Sequence, residues 1–160
     1  MSDQLDPAPL LEAIGFDATD SVLTRRQAEV LVLREEGHAQ AAIASTLGTS
    51  RANVSSVEAS ARENLRKATE TVAFAQALRA PVQLRVEAET ELYDVPQQVY
   101  EACDESGVKV SRTAPELMKL IGEEAGDAVR GRVVHRPISI TVTGAGQVRV
   151  RPLAERAGDR

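Results

Sequence analysis

One stretch of the chain decides its fold: residues 23–72 read LTRRQAEVLVLREEGHAQAAIASTLGTSRANVSSVEASARENLRKATETV. Apolar residues recur there at helical spacing in two short runs and in a third, longer run that follows closely. The turn between the second and third runs is Leu47-Gly48-Thr49-Ser50. Two short helices, a glycine-containing turn and a longer helix form the outline of a helix-turn-helix, so the sequence predicts a DNA-binding regulator.

The first helix of this outline has clear signals at both ends. Thr24 and Gln27 have the spacing of a capping box, in which each side chain accepts a hydrogen bond from the other residue's free backbone amide. Gly37 is expected to end the helix, because glycine tolerates positive φ. The residues predicted to face the core are Ala28, Leu31 and Val32.

The second helix is predicted from Gln40 to Leu47. Gly48 permits the tight turn after it, and Ser50 is the natural N-cap of the third helix. The buried side of the second helix is assigned to Ala41, Ile43, Ala44 and Leu47.

The third helix has one apolar side when its residues are placed about 100° apart. Its predicted core stripe is Val54, Val57, Ala61, Leu65, Ala68 and Val72. The helical pattern continues to Leu78 and stops before Pro81. Spacings of three and four residues also link Leu65, Ala68, Val72 and Ala75. These four residues form either a dimer seam or a face that packs on the C-terminal half of the chain.

The other sides of the third helix are predicted to meet DNA, because a recognition helix reads bases with its N-terminal residues while its flanks meet phosphates. A solvated face that happens to hold serines is the alternative. The expected base-reading residues are Ser50, Arg51, Ala52, Asn53, Ser55, Ser56 and Ala59. The expected phosphate contacts are Arg25, Arg26, Gln40, Thr49, Arg62 and Arg66.

The remaining sequence divides into three further parts. Residues 1–22 are acidic and contain two prolines, so we expect a loosely ordered arm, with a single helical turn at Leu10, Leu11 and Ile14 as the alternative. Residues 23–80 form the helix-turn-helix domain, residues 81–152 a C-terminal domain, and residues 153–160 a tail.

The C-terminal domain is predicted as a small α/β sandwich, which makes the whole protein α+β. Alternation at residues 82–88 predicts a strand, and residues 108–110 a second, short one. Asp94 and Thr113 are expected to cap two helices, with Val99, Tyr100 and Cys103 buried in the first and Leu117, Leu120 and Ile121 in the second. Residues 138–150 predict a hairpin around Gly144-Ala145-Gly146, and residues 132–135 a further strand.

The charge balance is unusual for a DNA-binding protein, which is expected to have a basic surface. The net charge is -5, and residues 24–72 hold seven bases against six acids. Residues 85–127 hold four bases against eleven acids, whereas residues 128–160 hold seven bases against two acids. Arginine outnumbers lysine sixteen to three, which suits either a high-salt cytoplasm or a GC-rich genome.

The sequence contains few candidates for other chemistry. One cysteine, Cys103, excludes a disulfide framework and favours an intracellular setting. His38 and His135 lack metal-ligand spacing, so we expect no metal, no cofactor and no catalytic site. Apolar runs fall well short of the ~20 residues that a membrane span needs. A redox role for Cys103 requires a lowered pKa, whereas its acidic neighbours would raise it, so a core thiol is preferred.

Two charged groups have alternative interpretations. Glu87, Glu89 and Glu91 are expected to form a solvated face of the first strand, with cation binding or acid–base work as the alternative. Basic residues near the C-terminus are expected to pair with the acidic middle of the chain, rather than bind phosphate or an anionic effector. This group comprises Arg130, Arg132, Arg136, Arg149 and Arg151.

The helix-turn-helix segment resembles one family in detail. LTRRQAEVLVLREEG at residues 23–37, then IASTLGTSRANVSSVEASARENLRKA at residues 43–68, look like the archaeal Tfx family of DNA-binding regulators. The general outline is also similar to sigma-factor region four and to LuxR-type DNA-binding domains. The run TSRANVS, followed by Glu58, Ala61 and Asn64-Leu65, separates Tfx from these relatives. His38 departs from the hydrophobic or polar residue expected there. The resemblance implies a transcription regulator with a distinct C-terminal domain and no catalytic activity.

These observations together predict a cytoplasmic, sequence-specific DNA-binding regulator. Its expected partners are double-stranded DNA and a second copy of itself. The C-terminal domain is expected to dimerise the protein, to sense a small-molecule effector or to contact the transcription machinery. The alternative is an anti-sigma-like adaptor that uses the same helical fold to bind protein, which the acidic balance favours.

Overall fold

The computed structural model describes residues 5–154 and divides the chain into two compact units, one ending at Val72 and the other starting at Ala73. The first unit contains helices α1 (Pro7–Ala13), α2 (Arg25–Glu35) and α3 (Gln40–Leu47) and most of α4 (Arg51–Arg79). Helices α2, α3 and α4 are the three helices of the predicted helix-turn-helix. Within residues 5–154, no helix is both long and apolar enough to span a membrane.

The helix ends in this unit follow the local sequence signals. The backbone amide of Gln27 donates to the Thr24 side chain at 3.2 Å, and that of Thr24 donates to the Gln27 side chain at 3.0 Å, which confirms the capping box. Gly37 follows the C-cap of α2 with φ of 88°, and Gly48 ends α3 with φ of 65°. Both glycines occupy the left-handed region that other residues avoid.

The N-terminal segment is a helix that packs on α2, so the prediction of a loosely ordered arm is wrong for its described part. The Asp6 carboxylate accepts from the Ala8 amide at 3.0 Å, and Pro7 stands in the first turn. Leu11 is buried, and Leu10 packs on the core of the helix-turn-helix. The proline therefore begins a helix here, because its fixed φ suits the first helical position. The first four residues of the predicted arm lie outside the described residues.

The core of this unit consists of two apolar clusters. The larger contains Val30, Leu33, Ile43, Ala44 and Val54, and the smaller contains Leu23, Leu31 and Ala61. Several predicted core positions differ from this arrangement. Ala41 is exposed, because it lies about 200° around α3 from buried Ile43. Leu65 and Val72 are also exposed, so the core stripe of α4 ends at Ala61.

The second unit is built on antiparallel strands and two helices. Its helices are α5 (Val95–Glu105) and α6 (Ala114–Ala125). Its strands are β1 (Val82–Val86), β2 (Val129–Arg130), β3 (Val133–Val134), β4 (Ile138–Val142) and β5 (Val148–Pro152). One sheet has the order β1-β4-β5, in which Leu84 is opposite Ile140 and Ile140 is opposite Val150, and β2 pairs with β3. Residues from both helices and from the strands form one core. The protein is therefore α+β, as predicted.

The order of elements in this unit differs from the prediction at one place. Residues 108–110 form no strand, so α6 follows α5 directly. The chain leaves α5 through Gly107 with φ of 67°, and the Val108 amide donates to Cys103 O at 2.9 Å. The Val108 amide therefore bonds to the end of α5 and does not pair with another strand, although the Val108 side chain is buried. The predicted hairpin at residues 138–150 and the strand near residues 132–135 are confirmed, whereas β2 was not predicted.

Two side-chain predictions in this unit also need correction. Asp94 stands before α5 but makes no capping hydrogen bond, because its own backbone is in a tight turn rather than extended. The acidic residues Glu87, Glu89 and Glu91 lie beyond the end of β1 and do not form a strand face. Glu89 has φ of 65°, and its amide donates to Val134 O at 2.7 Å. Thr113 is the N-cap of α6, as predicted, and the Glu116 carboxylate accepts from its amide at 2.7 Å and from its hydroxyl at 2.8 Å.

Candidate nucleic-acid interface

The turn between α3 and α4 fixes where the exposed side chains of α4 begin. Left-handed Gly48 reverses the chain, and the Thr49 amide donates to Ala44 O at 3.0 Å. The Ser50 hydroxyl accepts from the Asn53 amide at 3.1 Å, which confirms Ser50 as the N-cap of α4. Val54 is 1% exposed and anchors the first turns of α4 in the core. The outward side of these turns is therefore held in a defined orientation within this unit.

All seven residues predicted to read bases are exposed. Four of them, Ala52, Ser55, Ser56 and Ala59, lie within an arc of about 100° on α4. We call these four residues the groove face. Their small side chains leave the helix backbone close to the surface, so a partner surface can approach it closely. Asn53 lies outside this arc, and its Nδ2 donates to the Thr49 hydroxyl at 2.9 Å.

Arg51 stands at the edge of the groove face, about 40° from Ser55 around the helix. Its side chain is exposed and forms no hydrogen bond or ion pair with any residue between 5 and 154. Its guanidinium therefore keeps all its donors for a partner. Guanidinium groups donate two parallel hydrogen bonds to acceptors such as the O6 and N7 atoms of guanine.

The predicted phosphate contacts are all bonded to neighbouring side chains. Arg25 and Arg26 pair with Glu29 at 3.5 and 3.3 Å, and Arg66 pairs with Glu63 at 2.9 Å. These are pairs between neighbouring turns of one helix with exposed arginines, so each is weak and open to exchange with a phosphate.

Gln40 and Arg62 have a different partner, which the sequence reasoning missed. Glu58, on α4, is only 7% exposed, and its carboxylate accepts from Arg34 on α2, Gln40 on α3 and Arg62 on α4. We call these four residues the Glu58 cluster. The spacing of Glu58 and Arg62 is visible in the sequence as a helical pair. The donors on α2 and α3 depend on the packing of three helices, so no local signal indicated them.

The hydrogen bonds of this cluster keep Glu58 charged. They lower its pKa from 4.5 to about 2, with the Gln40 donor as the largest cause, and the Arg62 and Arg34 donors act in the same direction. Burial alone would raise the pKa. At neutral pH the cluster therefore holds one negative and two positive charges.

A second polar link joins α2 to α4. Gln27 is 9% exposed, its Nε2 donates to the Ser60 hydroxyl at 3.0 Å, and its Oε1 accepts from Asn64 at 3.3 Å. The capping residue of α2 thus also bonds to the middle of α4. Since both Gln27 and Glu58 are satisfied, α2 and α4 are fixed in register along their shared face.

The remaining candidates show no assembled site. Among residues 5–154, no group of three or more potential ligands could hold a metal ion. Cys103 is buried, and burial, followed by the charge of Asp104, raises the pKa of its thiol. In the C-terminal unit, Arg136 pairs with Asp127 and Arg149 with Glu124, which confirms the pairing predicted for these two arginines. Arg132 lies over the Tyr93 ring at 5.5 Å.

Comparison with known proteins matches both halves of the chain to described families. Residues 68–150 match the model described as "DNA_binding protein, TFX, C-term", and residues 21–67 match sigma-70 region 4. A relative from Haloarcula marismortui, named as a candidate transcriptional regulatory protein, is 52% identical over 94% of this chain and 95% of its own length. One from Methanocaldococcus jannaschii, named likewise, is 38% identical over 82% and 96%. The DNA-binding protein Tfx of Methanothermobacter thermautotrophicus is 35% identical over 79% and 91%.

Proposed function

Since this chain belongs to the Tfx family of DNA-binding transcriptional regulators, we propose that it reads a specific DNA sequence with α4 in the major groove. The observation that carries this proposal is the groove face, an exposed arc of small side chains beginning directly after the N-cap of α4. A helix with such a face can enter a groove about 12 Å wide until its backbone is near the base edges. Bulky side chains at these positions would hold the helix away.

The base contacts are assigned to residues 50–59 of α4 and its cap. Arg51 makes the discriminating contact, because its guanidinium has no competing partner and stands in the first turn. Ser55 and Ser56 offer hydroxyl groups, while Ala52 and Ala59 offer methyl contacts that suit thymine. Ser50 and Asn53 already bond within the cap, so their contribution is to hold the N-terminus of α4 toward the DNA.

The backbone contacts are assigned to the residues around the groove face. Arg25 and Arg26 begin α2, Gln40 begins α3, Thr49 lies in the turn, and Arg62 and Arg66 lie along α4. Helix N-termini and arginines are the usual phosphate partners of a helix-turn-helix. Each arginine exchanges part of its bond to a neighbouring glutamate for a phosphate. Only four of these residues are arginines that can neutralise a phosphate, so the affinity for DNA is expected to fall only gradually as the salt concentration rises.

We further propose a homodimer, because one recognition helix covers only about half of a typical operator. Leu65 and Val72, which are 42% and 57% exposed, lie on one side of α4 with Ala68 and Ala75. We call these four residues the α4 seam. Large and small side chains alternate along it, so an antiparallel copy can place Leu65 against Ala75 and Val72 against Ala68.

The C-terminal unit is assigned to strengthening this dimer, sensing a small-molecule effector or contacting the transcription machinery. This assignment is supported by the unit having a buried core of its own, which residues 82–150 form. The protein would act in the cytoplasm, where the DNA is. Loss of the C-terminal unit should therefore change regulation more than it changes the preferred DNA sequence.

Selection of bound sites from random double-stranded DNA by the full chain tests the proposed function. We expect enrichment of one sequence present as two half-sites whose centres lie roughly one helical turn, ~10 base pairs, apart. An adaptor that binds only protein would give no enrichment and no retention on DNA at moderate salt. A single enriched half-site would support base reading and argue against the dimer.

A further inference from the structure

The Glu58 cluster sets the charge next to the groove face. The Glu58 carboxylate accepts from Arg34 Nε at 3.0 Å, from Gln40 Nε2 at 2.9 Å, and from both Nε and Nη2 of Arg62 at 3.0 and 2.9 Å. Three helices of the DNA-binding unit thus send a donor to one side chain. Among the described residues, Glu58 is the one buried acid.

The cluster is next to the proposed interface. Glu58 lies two helical turns after Arg51 and within about 20° of it around α4, and Arg62 lies one turn farther on the same side. The Arg62 side chain is 52% exposed, and its Nη1 group makes no bond to Glu58. The Arg34 side chain is 32% exposed, and its Nη1 group donates to His38 O at 2.8 Å. The carboxylate is covered while part of each cation still reaches the surface.

We infer that Glu58 is a specificity-determining residue that limits binding to DNA of arbitrary sequence, an inference that rests on the proposed function. It cancels one of the two positive charges beside the groove and holds the remaining donors at fixed positions. Binding to arbitrary DNA depends on the number of phosphates neutralised, whereas discrimination depends on base contacts. A buried carboxylate at this position therefore lowers the affinity for arbitrary DNA. It leaves unchanged the base contacts that Arg51 and the groove face make.

A merely structural clamp would not need a charge at this position. A buried ion pair is often no more stabilising than apolar side chains of similar volume. A clamp also predicts that its loss weakens binding to every DNA without changing the salt dependence. If Glu58 instead sets the local charge, its loss strengthens binding to arbitrary DNA and steepens the salt dependence. A measurement of salt dependence therefore separates the structural role from the charge-setting role.

The test compares Glu58→Gln with the parent on the selected operator and on a scrambled sequence, each at several salt concentrations. Because the substitution uncovers one positive charge, we expect log K to fall more steeply with log salt, by about 0.9. At ~0.1 M salt this corresponds to roughly eightfold tighter binding to scrambled DNA. The ratio of specific to scrambled affinity should fall, because the neutral amide of Gln holds Arg34 and Arg62 less firmly than the carboxylate does, and both cations can then follow the phosphates of scrambled DNA.

Two further variants serve as controls. Glu12→Gln makes the same change in net charge at an exposed position of α1 and should leave the salt slope and the affinity ratio at parent values. Glu58→Asp keeps the charge with a shorter side chain and should keep the parent slope. A steeper slope in Glu58→Asp, or an equal effect of Glu12→Gln, would overturn the inference.

If Glu58→Gln does not fold, as judged by circular dichroism, Arg34→Gln provides the reciprocal test. It removes one positive charge from the cluster, so the slope should become shallower by about one unit and scrambled DNA should bind more weakly. An unchanged slope in a folded Glu58→Gln or Arg34→Gln protein would overturn the inference. Failure of the proposed function looks different, because the parent itself would then not distinguish the operator from scrambled DNA.

Discussion

Arg62 donates two hydrogen bonds to a single oxygen of Glu58, from Nε at 3.0 Å and from Nη2 at 2.9 Å. The other oxygen of Glu58 accepts from Arg34 and Gln40, which lie on different helices. The position of α4 relative to α2 and α3 therefore depends in part on one ionised side chain. If α4 reads DNA as proposed, a change at Glu58 should therefore affect both stability and DNA binding.

The first prediction concerns acid. The folded-state pKa of Glu58 is about 2, below its ordinary value of 4.5, so the stability it contributes is complete above pH 4.5 and is lost as pH falls toward 2. We expect Glu58→Gln to remove about 1–2 kcal/mol of this pH-dependent stability, less than the full shift implies because solvent screens the half-exposed Arg62. Urea unfolding of both proteins from pH 6 to pH 2 measures it. Parallel curves over that range would contradict the assignment.

The second prediction concerns the turn. Gly48 has φ of 65°, so Gly48→Ala should destabilise the protein by about 1–2 kcal/mol through backbone strain. Gly122 is the matched control, because it lies inside α6, has no positive φ, and an added Cβ there meets nothing within 4 Å. Gly122→Ala should stabilise by roughly 0.5–1 kcal/mol. Thermal unfolding of both variants checks the sign, and a loss of stability in both would show that the Gly48 effect is not specific to its backbone.

The helix-turn-helix could be predicted closely because its signals are local. The capping box at Thr24 and Gln27, the glycine at Gly48 and the cap at Ser50 each act within four residues of the chain. Such signals determine where α2 and α3 begin or end, whichever elements pack against these helices. The exposure of the groove face follows from the same periodicity, because Val54 must point inward.

The differences arise where tertiary packing decides the outcome. Leu11 is buried only because α1 has a partner surface on α2, which no pattern within residues 5–22 specifies. Val108 and Val110 alternate like a strand, but within residues 5–154 they join neither sheet, and the Val108 amide bonds instead to the last turn of α5. Glu58 is buried because it finds donors that lie 24 and 18 residues earlier in the sequence. Charge at a buried position is predictable only when such partners are known.

The third prediction concerns domain independence. A truncated chain starting at Ala80 should fold by itself, because residues 82–150 supply the whole buried cluster of the C-terminal unit. Its amide resonances should be dispersed, and the amides of β4, which is paired on both edges, should exchange slowest. Collapsed and broadened spectra would mean that the unit depends on the preceding helices.

The fourth prediction concerns the α4 seam. Val72→Lys places a charge in the middle of the seam and should convert a dimer into a monomer at micromolar concentration, as measured by sedimentation equilibrium. Phe74→Ser is the control, because Phe74 is 60% exposed but lies about 180° around α4 from Leu65. That variant should remain dimeric. A parent protein that is monomeric and binds one copy per site would refute the seam.

The last prediction separates base reading from phosphate contact. The Arg51 side chain forms no bond with any described residue and stands one position past the cap. Arg51→Ala should therefore remove discrimination worth ~1–3 kcal/mol while binding to scrambled DNA changes little. Arg62 lies about three turns farther along and remains tied to Glu58. Arg62→Ala should weaken binding to both DNAs and make the salt slope shallower by about one unit, because the Glu58 cluster loses its surplus charge. Titration of both variants on operator and scrambled DNA at several salt concentrations distinguishes the two roles.

Because Arg62→Ala also removes a partner of Glu58, its unfolding curve must be recorded alongside, and binding compared only where the protein is fully folded. If Arg51→Ala binds both DNAs as the parent does, α4 does not present its first turn to the bases.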